Sequence, residues 1–208
     1  MSDTTVGAVI VRDIDELEAA LRFVRGSMSD ALGHAVADLV EEQRRAFGWN
    51  GEIAQDLNEG IWFAPSEWRT ANDDEDNYDL YVEFEESDCL DGEEAETWIG
   101  AFCGFAGSGI RFRLKTNALG QRDWKALLRN EANLADQLVD AGFLCDPKNG
   151  ELAALISIER DKLAEAFADE EFEEALQPIG WAIERVAKSR PILDQLVAVI
   201  RKKNGERR

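Results

Sequence analysis

Between residues 79 and 115 two segments place apolar side chains at every second position, while both ends of the chain repeat them every three to four. That change of period constrains the fold more than any other feature. From Asp79 to Glu85, Leu80, Val82 and Phe84 point one way and Asp79, Tyr81, Glu83 and Glu85 the other. Ile110, Phe112 and Leu114 alternate in the same way with Arg111, Arg113 and Lys115. Trp98 to Phe105 is nearly all apolar and reads as a central strand covered on both faces. Ala106-Gly107-Ser108-Gly109 supplies a turn between the last two segments. Ile61-Trp62-Phe63, before Pro65, is a further short strand, and Leu152 to Ile158 follows the reversal signal Asp146-Pro147-Lys148-Asn149-Gly150. Short turns between strands predict an antiparallel meander.

The flanks carry the helical period. Ile14, Leu17, Leu21, Val24 and Met28 share one helical face, with Asp13 and Glu16 at capping-box spacing and Gly26-Ser27 ending or kinking the helix. A second helix spans about Ser29 to Ala46, with Leu32, Val36, Leu39 and Val40 inward. Toward the other end, Trp124, Leu127, Leu128, Leu134, Leu138 and Val139 mark a helix closed by Gly142. A short helix starts at Asp161. Phe172, Leu176, Ile179, Ile183 and Val186 mark another that Pro178 should kink, and Ser189-Arg190-Pro191 opens the last.

The fold class is therefore α+β: an antiparallel meander of three to four strands packed by N-terminal and C-terminal helices. It is read as one domain over residues 1–208, helical over 13–46, strand-rich over 60–115, and α/β then helical over 121–204. At 208 residues with 45% hydrophobic composition, the chain can bury a core without metal or disulfide. Cys89, Cys103 and Cys145 have no paired spacing and read as reduced thiols. No apolar run approaches the roughly 20 residues that span a bilayer, and Met1-Ser2-Asp3-Thr4-Thr5 has no signal-peptide character, so the expected address is the cytoplasm.

Charge limits the partners. The chain holds 43 Asp+Glu against 23 Lys+Arg, a net charge of −20. Such a surface repels nucleic acid and anionic lipid, and steers basic proteins toward it. The 26 residues from Ala71 to Glu96 contain 13 acids and no Lys or Arg: Asp73, Asp74, Glu75, Asp76, Asp79, Glu83, Glu85, Glu86, Asp88, Asp91, Glu93, Glu94 and Glu96. A second run is Asp169-Glu170-Glu171-Phe172-Glu173-Glu174.

Sites for chemistry are sparse. His34 is the single histidine and lies in a helical run without a nucleophile motif. Gly104 to Gly109 lacks the Lys of a phosphate loop. Asp74-x-Asp76 resembles the start of a calcium loop, but the required glycine is missing. A metal-dependent nuclease built around Asp79 would need a carboxylate where Arg113 stands. No cofactor, catalytic residue or metal ligand is assigned. The polar sides of the two alternating strands, Glu83 and Glu85 on one and Arg111 and Arg113 on the other, can instead pair across strands.

The leading expectation is a non-enzymatic acidic interaction protein that binds a basic partner: an inhibitor or nucleic-acid mimic, an immunity protein, or a chaperone. The partner would be a nucleic-acid-binding protein or a toxin, met by the thirteen acids with Trp68, Tyr78 and Tyr81 as aromatic anchors. One alternative is a metal-dependent enzyme or metal-binding protein using the carboxylates of strand 79–86. Another is a structural subunit whose acidity serves solubility. The apolar run Ile192 to Ile200 packs at home or against a second copy, which leaves a homodimer open.

Overall fold

A computed structural model describes residues 3–70, 77–87 and 95–205. Six strands form one antiparallel sheet in the order β1-β2-β3-β4-β6-β5. They are β1 (Asn50–Ile53), β2 (Ile61–Ala64), β3 (Tyr81–Ser87), β4 (Gly109–Lys115), β5 (Leu144–Asp146) and β6 (Glu151–Ile156). The α+β class holds, and the sheet is wider than the three to four strands expected. The added strands, β1 and β5, are four and three residues long, too short to show alternation. Only the exchange of β5 and β6 departs from a sequential meander.

The helices are α1 (Asp3–Arg12), α2 (Ile14–Phe23), α3 (Ser29–Ala46), α4 (Trp98–Phe102), α5 (Gln121–Asn130), α6 (Ala132–Asp140), α7 (Arg160–Asp169), α8 (Glu173–Lys188) and α9 (Arg190–Gly205). The core face of the sheet carries Phe63, Val82, Phe84, Phe112, Leu114 and Ala154, all buried. Register brings Phe84, Phe112 and Ala154 into one row across β3, β4 and β6. Leu32, Val36 and Val40 of α3 and Leu176, Ile179 and Ile183 of α8 belong to the same apolar core.

Several expectations change. Trp98 to Phe105 is not a strand. Thr97 Oγ1 accepts the Gly100 amide at 3.1 Å and caps α4, and Gly104 turns the chain out with φ of 68°. A run apolar at every position has no period to separate strand from helix. Its apolar content serves packing: Trp98 stacks on Phe84 with ring centroids 5.6 Å apart, and Phe102 is buried.

Asp13 makes no capping bond, because helix precedes it, and α1 and α2 follow one another across that residue. Gly26 does kink the chain, through a wide turn over Val24–Met28. The larger departure is that α2 buries no residue. Ile14, Leu17 and Leu21 lie on an arm that leaves the body instead of packing on the sheet. Pro178 sits inside α8 without ending it. Leu193, Leu196, Val197 and Ile200 are all buried, so these residues of the run from Ile192 to Ile200 pack at home.

Candidate functional site

Facing away from that core is a polar row that crosses all six strands. Register aligns Glu52, Trp62, Glu83, Arg113, Ala153 and Leu144, in that order. The next row along aligns Glu85, Arg111 and Leu155. The register therefore puts two acids of β3 directly opposite two cations of β4, a pairing that the alternation of each strand allows.

The side chains complete the pairing. Lys115 Nζ lies 2.7 Å from Glu83 Oε2 and 2.8 Å from Glu85 Oε2. Glu85 Oε1 meets Arg111 at 2.8 Å and Arg113 at 3.2 Å. Arg111 also pairs with Glu151 of β6. Its side chain is only 6% exposed, so the carboxylates around it offset the cost of removing a guanidinium from water. Burial pushes the Glu85 carboxyl up, but Lys115, Arg111 and Arg113 outweigh it and hold the group below its ordinary value. Burial likewise pushes Lys115 down, and Glu83 and Glu85 reverse that to a net rise.

Beside the charges stands an aromatic corner. The Trp62 ring lies 5.3 Å from Tyr78 and 6.3 Å from Tyr81. A cavity of about 290 Å³ opens there, lined by Glu52, Trp62, Tyr78, Tyr81, Glu83 and Asn117. Burial, reinforced by Glu83, raises the Tyr81 phenol above its ordinary value.

The sixteen residues expected at a partner surface have different fates. Asp73, Asp74, Glu75, Asp76, Asp88, Asp91, Glu93 and Glu94 lie outside the described residues. Glu83 and Glu85 are held in the ladder, and Glu86 is half-buried on β3. Glu96 is exposed and pairs with Arg25 at 3.5 Å.

Three placements are corrections. Asp79 was expected on the wet side of a strand, but it precedes β3 and is 2% exposed, with Oδ2 accepting from Arg201 Nε at 2.6 Å. Trp68 is buried, its Nε1 donating to Asp194 Oδ1 at 2.7 Å. Tyr78 is buried beneath Trp62, with the Arg69 guanidinium 5.9 Å from its ring centroid. Asp79 and Trp68 turn their polar groups onto partners within the protein, and Tyr78 shows little of its surface to solvent. Sequence reasoning missed Arg201, Asp194 and Glu151, whose partners lie 122, 126 and 40 residues away. No local pattern signals such pairs.

The acidic run near Asp169 borders a larger open cavity of about 620 Å³, lined by Lys162, Glu165, Asp169, Glu171, Glu173 and Glu174 among others. Lys162 Nζ reaches Glu174 Oε1 at 2.9 Å. Among the described residues, no three of His, Cys, Asp and Glu converge to hold a metal ion. No described helix is long and apolar enough to cross a membrane.

Fold and surface together define an α+β protein with an internally paired polar sheet face. No protein-family model matches the chain, and comparison with curated proteins and with solved structures finds no match.

Proposed function

We propose that this protein is a non-enzymatic acidic interaction module that binds a basic protein partner, such as a toxin or a nucleic-acid-binding protein. One observation supports the reading above the others. The acids of β3 are consumed by the protein's own cations, Glu83 and Glu85 by Lys115, Arg111 and Arg113. The eight remaining acids at 73–76 and 88–94 belong to stretches with no Lys or Arg of their own. A dense run of charge of one sign steers an oppositely charged protein and speeds its docking.

The attachment points add a constraint. The first acidic stretch joins the described chain between Thr70 and Asn77, where the Thr70 amide donates to the Asn77 carbonyl at 2.9 Å. The second joins between Ser87 and Ala95, at the far end of β3. The seven residues of β3, about 20 Å end to end at roughly 3.3 Å per residue, lie between the two roots in sequence.

Affinity capture from the source lysate at low and high salt tests this, using wild type, D74K/D76K and E93K/E94K. The reading expects a salt-sensitive basic protein that both variants lose. Identical captured proteins from all three chains would end it.

A further inference from the structure

The helical arm before the body carries an apolar stripe that none of the described residues buries. Ile10, Ile14, Leu17, Leu21, Val24 and Met28 are spaced four, three, four, three and four residues apart. Up to the kink at Gly26 this is the 3.5-residue repeat of a coiled-coil seam, in which Ile14 and Leu21 occupy one core position and Ile10, Leu17 and Val24 the other, while Met28 lies beyond the kink. Ile10, Ile14, Leu17 and Leu21 are between 38% and 47% exposed, and α2 buries nothing. A ten-residue helix is marginal in water unless an apolar face is covered.

We propose that a second copy of this chain covers the stripe, the two arms packing antiparallel. Flanking charges select both occupant and direction. In the seam's numbering Asp13 lies on one flank, and Glu18 and Arg25 on the other. A parallel pair would set Asp13 of one copy beside Glu18 of the other, like against like. An antiparallel pair brings the second flank against itself. In the register that seats Leu21 on Val24 of the second copy, Glu18 faces Arg25 of the second copy, twice by symmetry. Arg25 is available for this: its contact with Glu96 is 3.5 Å long between side chains 55% and 86% exposed. A membrane is the poorer occupant, because interfacial helices are rich in Lys and Arg, whereas Asp13, Asp15, Glu16 and Glu18 line this one.

This inference is independent of the basic-partner reading, and salt separates the two. Two bodies of charge −20 repel, so dimerisation strengthens as salt rises while capture of a basic partner weakens. The test is sedimentation equilibrium of the full chain from low to high micromolar concentration. Wild type is expected to dimerise. L17D/L21D should weaken the dimer about a hundredfold while leaving the urea midpoint of the body unchanged, because neither leucine supports the core. E18K and R25E should each weaken it severalfold, and E18K/R25E together should restore it. A monomeric wild type at high concentration, or an L17D/L21D dimer as tight as wild type, overturns the proposal. Failure of the double swap to restore dimerisation overturns the antiparallel register.

Discussion

Arg201 Nε donates to Asp79 Oδ2 across 2.6 Å, joining residues 122 apart in sequence. The same guanidinium donates to the Glu67 carbonyl at 2.7 Å and the Arg69 carbonyl at 3.1 Å. One side chain of α9 thus fastens the last helix to the segment that leads into β3. Asp79 is 2% exposed and Arg201 47% exposed, so the two substitutions are unequal. Arg201→Met leaves a buried carboxylate with only Thr70 Oγ1, 3.3 Å away, and should cost about 2–3 kcal/mol. Asp79→Asn leaves a cation that water can reach and should cost about 1 kcal/mol. Urea unfolding midpoints measure both. Equal losses would mean that the pair does not act as a buried carboxylate with an outer cap.

The cross-strand ladder gives stability a plateau in pH. The Glu85 carboxyl is depressed below its ordinary 4.5, so its contribution is complete above that value and fades as acid protonates the folded carboxylate. Lys115 is raised above its ordinary 10.5, so its contribution is complete below that value and fades as base removes the folded proton. Stability from the ladder should be flat between about pH 4.5 and 10.5 and fall outside. Glu85→Gln should lower the plateau by about 1–2 kcal/mol and make the acid limb shallower. Glu41 is the control for that limb. The Arg44 hydrogen bond, helped by the charges of Arg44 and Arg45, outweighs the opposing effect of burial and lowers its carboxyl to about 2. Glu41→Gln should therefore blunt the fall at the most acid end. An acid limb identical in wild type and Glu85→Gln would remove the ladder from this account.

The alternating residues of β3 and β4 were readable because side-chain direction in a strand depends only on parity. That rule alone put Glu83 and Glu85 on one side of β3 and Arg111 and Arg113 on one side of β4, and the register then set Glu83 opposite Arg113 and Glu85 opposite Arg111. Asp79 obeyed the same parity on paper and failed. It lies before the strand begins, where Arg201 could bury it. Trp98 to Phe105 failed for a related reason, since an unbroken apolar run fits a covered strand and a wedged helix equally well. The stripe of α2 was legible as a helix face, but a period says which residues need cover and not what covers them. Asp194, Glu151 and Arg201 complete their sites from distant elements, and only the fold brings them there.

Gly33 should reverse the usual glycine rule. In an exposed helix interior, Gly→Ala stabilises by up to about 1 kcal/mol, because alanine has less backbone freedom to lose. Gly33 lies in α3 where the β1–β2 connection crosses it. A Cβ there would stand 2.2 Å from the Gln55 carbonyl oxygen and 3.4 Å from its carbon. Both atoms are backbone, so relief requires moving either the helix or the connection, and with it the core contact of Leu57. Gly33→Ala should cost about 2 kcal/mol, in the range of overpacked cores. Gly180 of α8 is the internal comparison, since a Cβ there meets nothing within 4 Å. Gly180→Ala should stabilise by up to about 1 kcal/mol. Thermal unfolding of the two variants beside wild type settles the contrast. Opposite shifts in midpoint support a close crossing at Gly33, and a gain in both would show that α3 and the Gln55 backbone are not in contact.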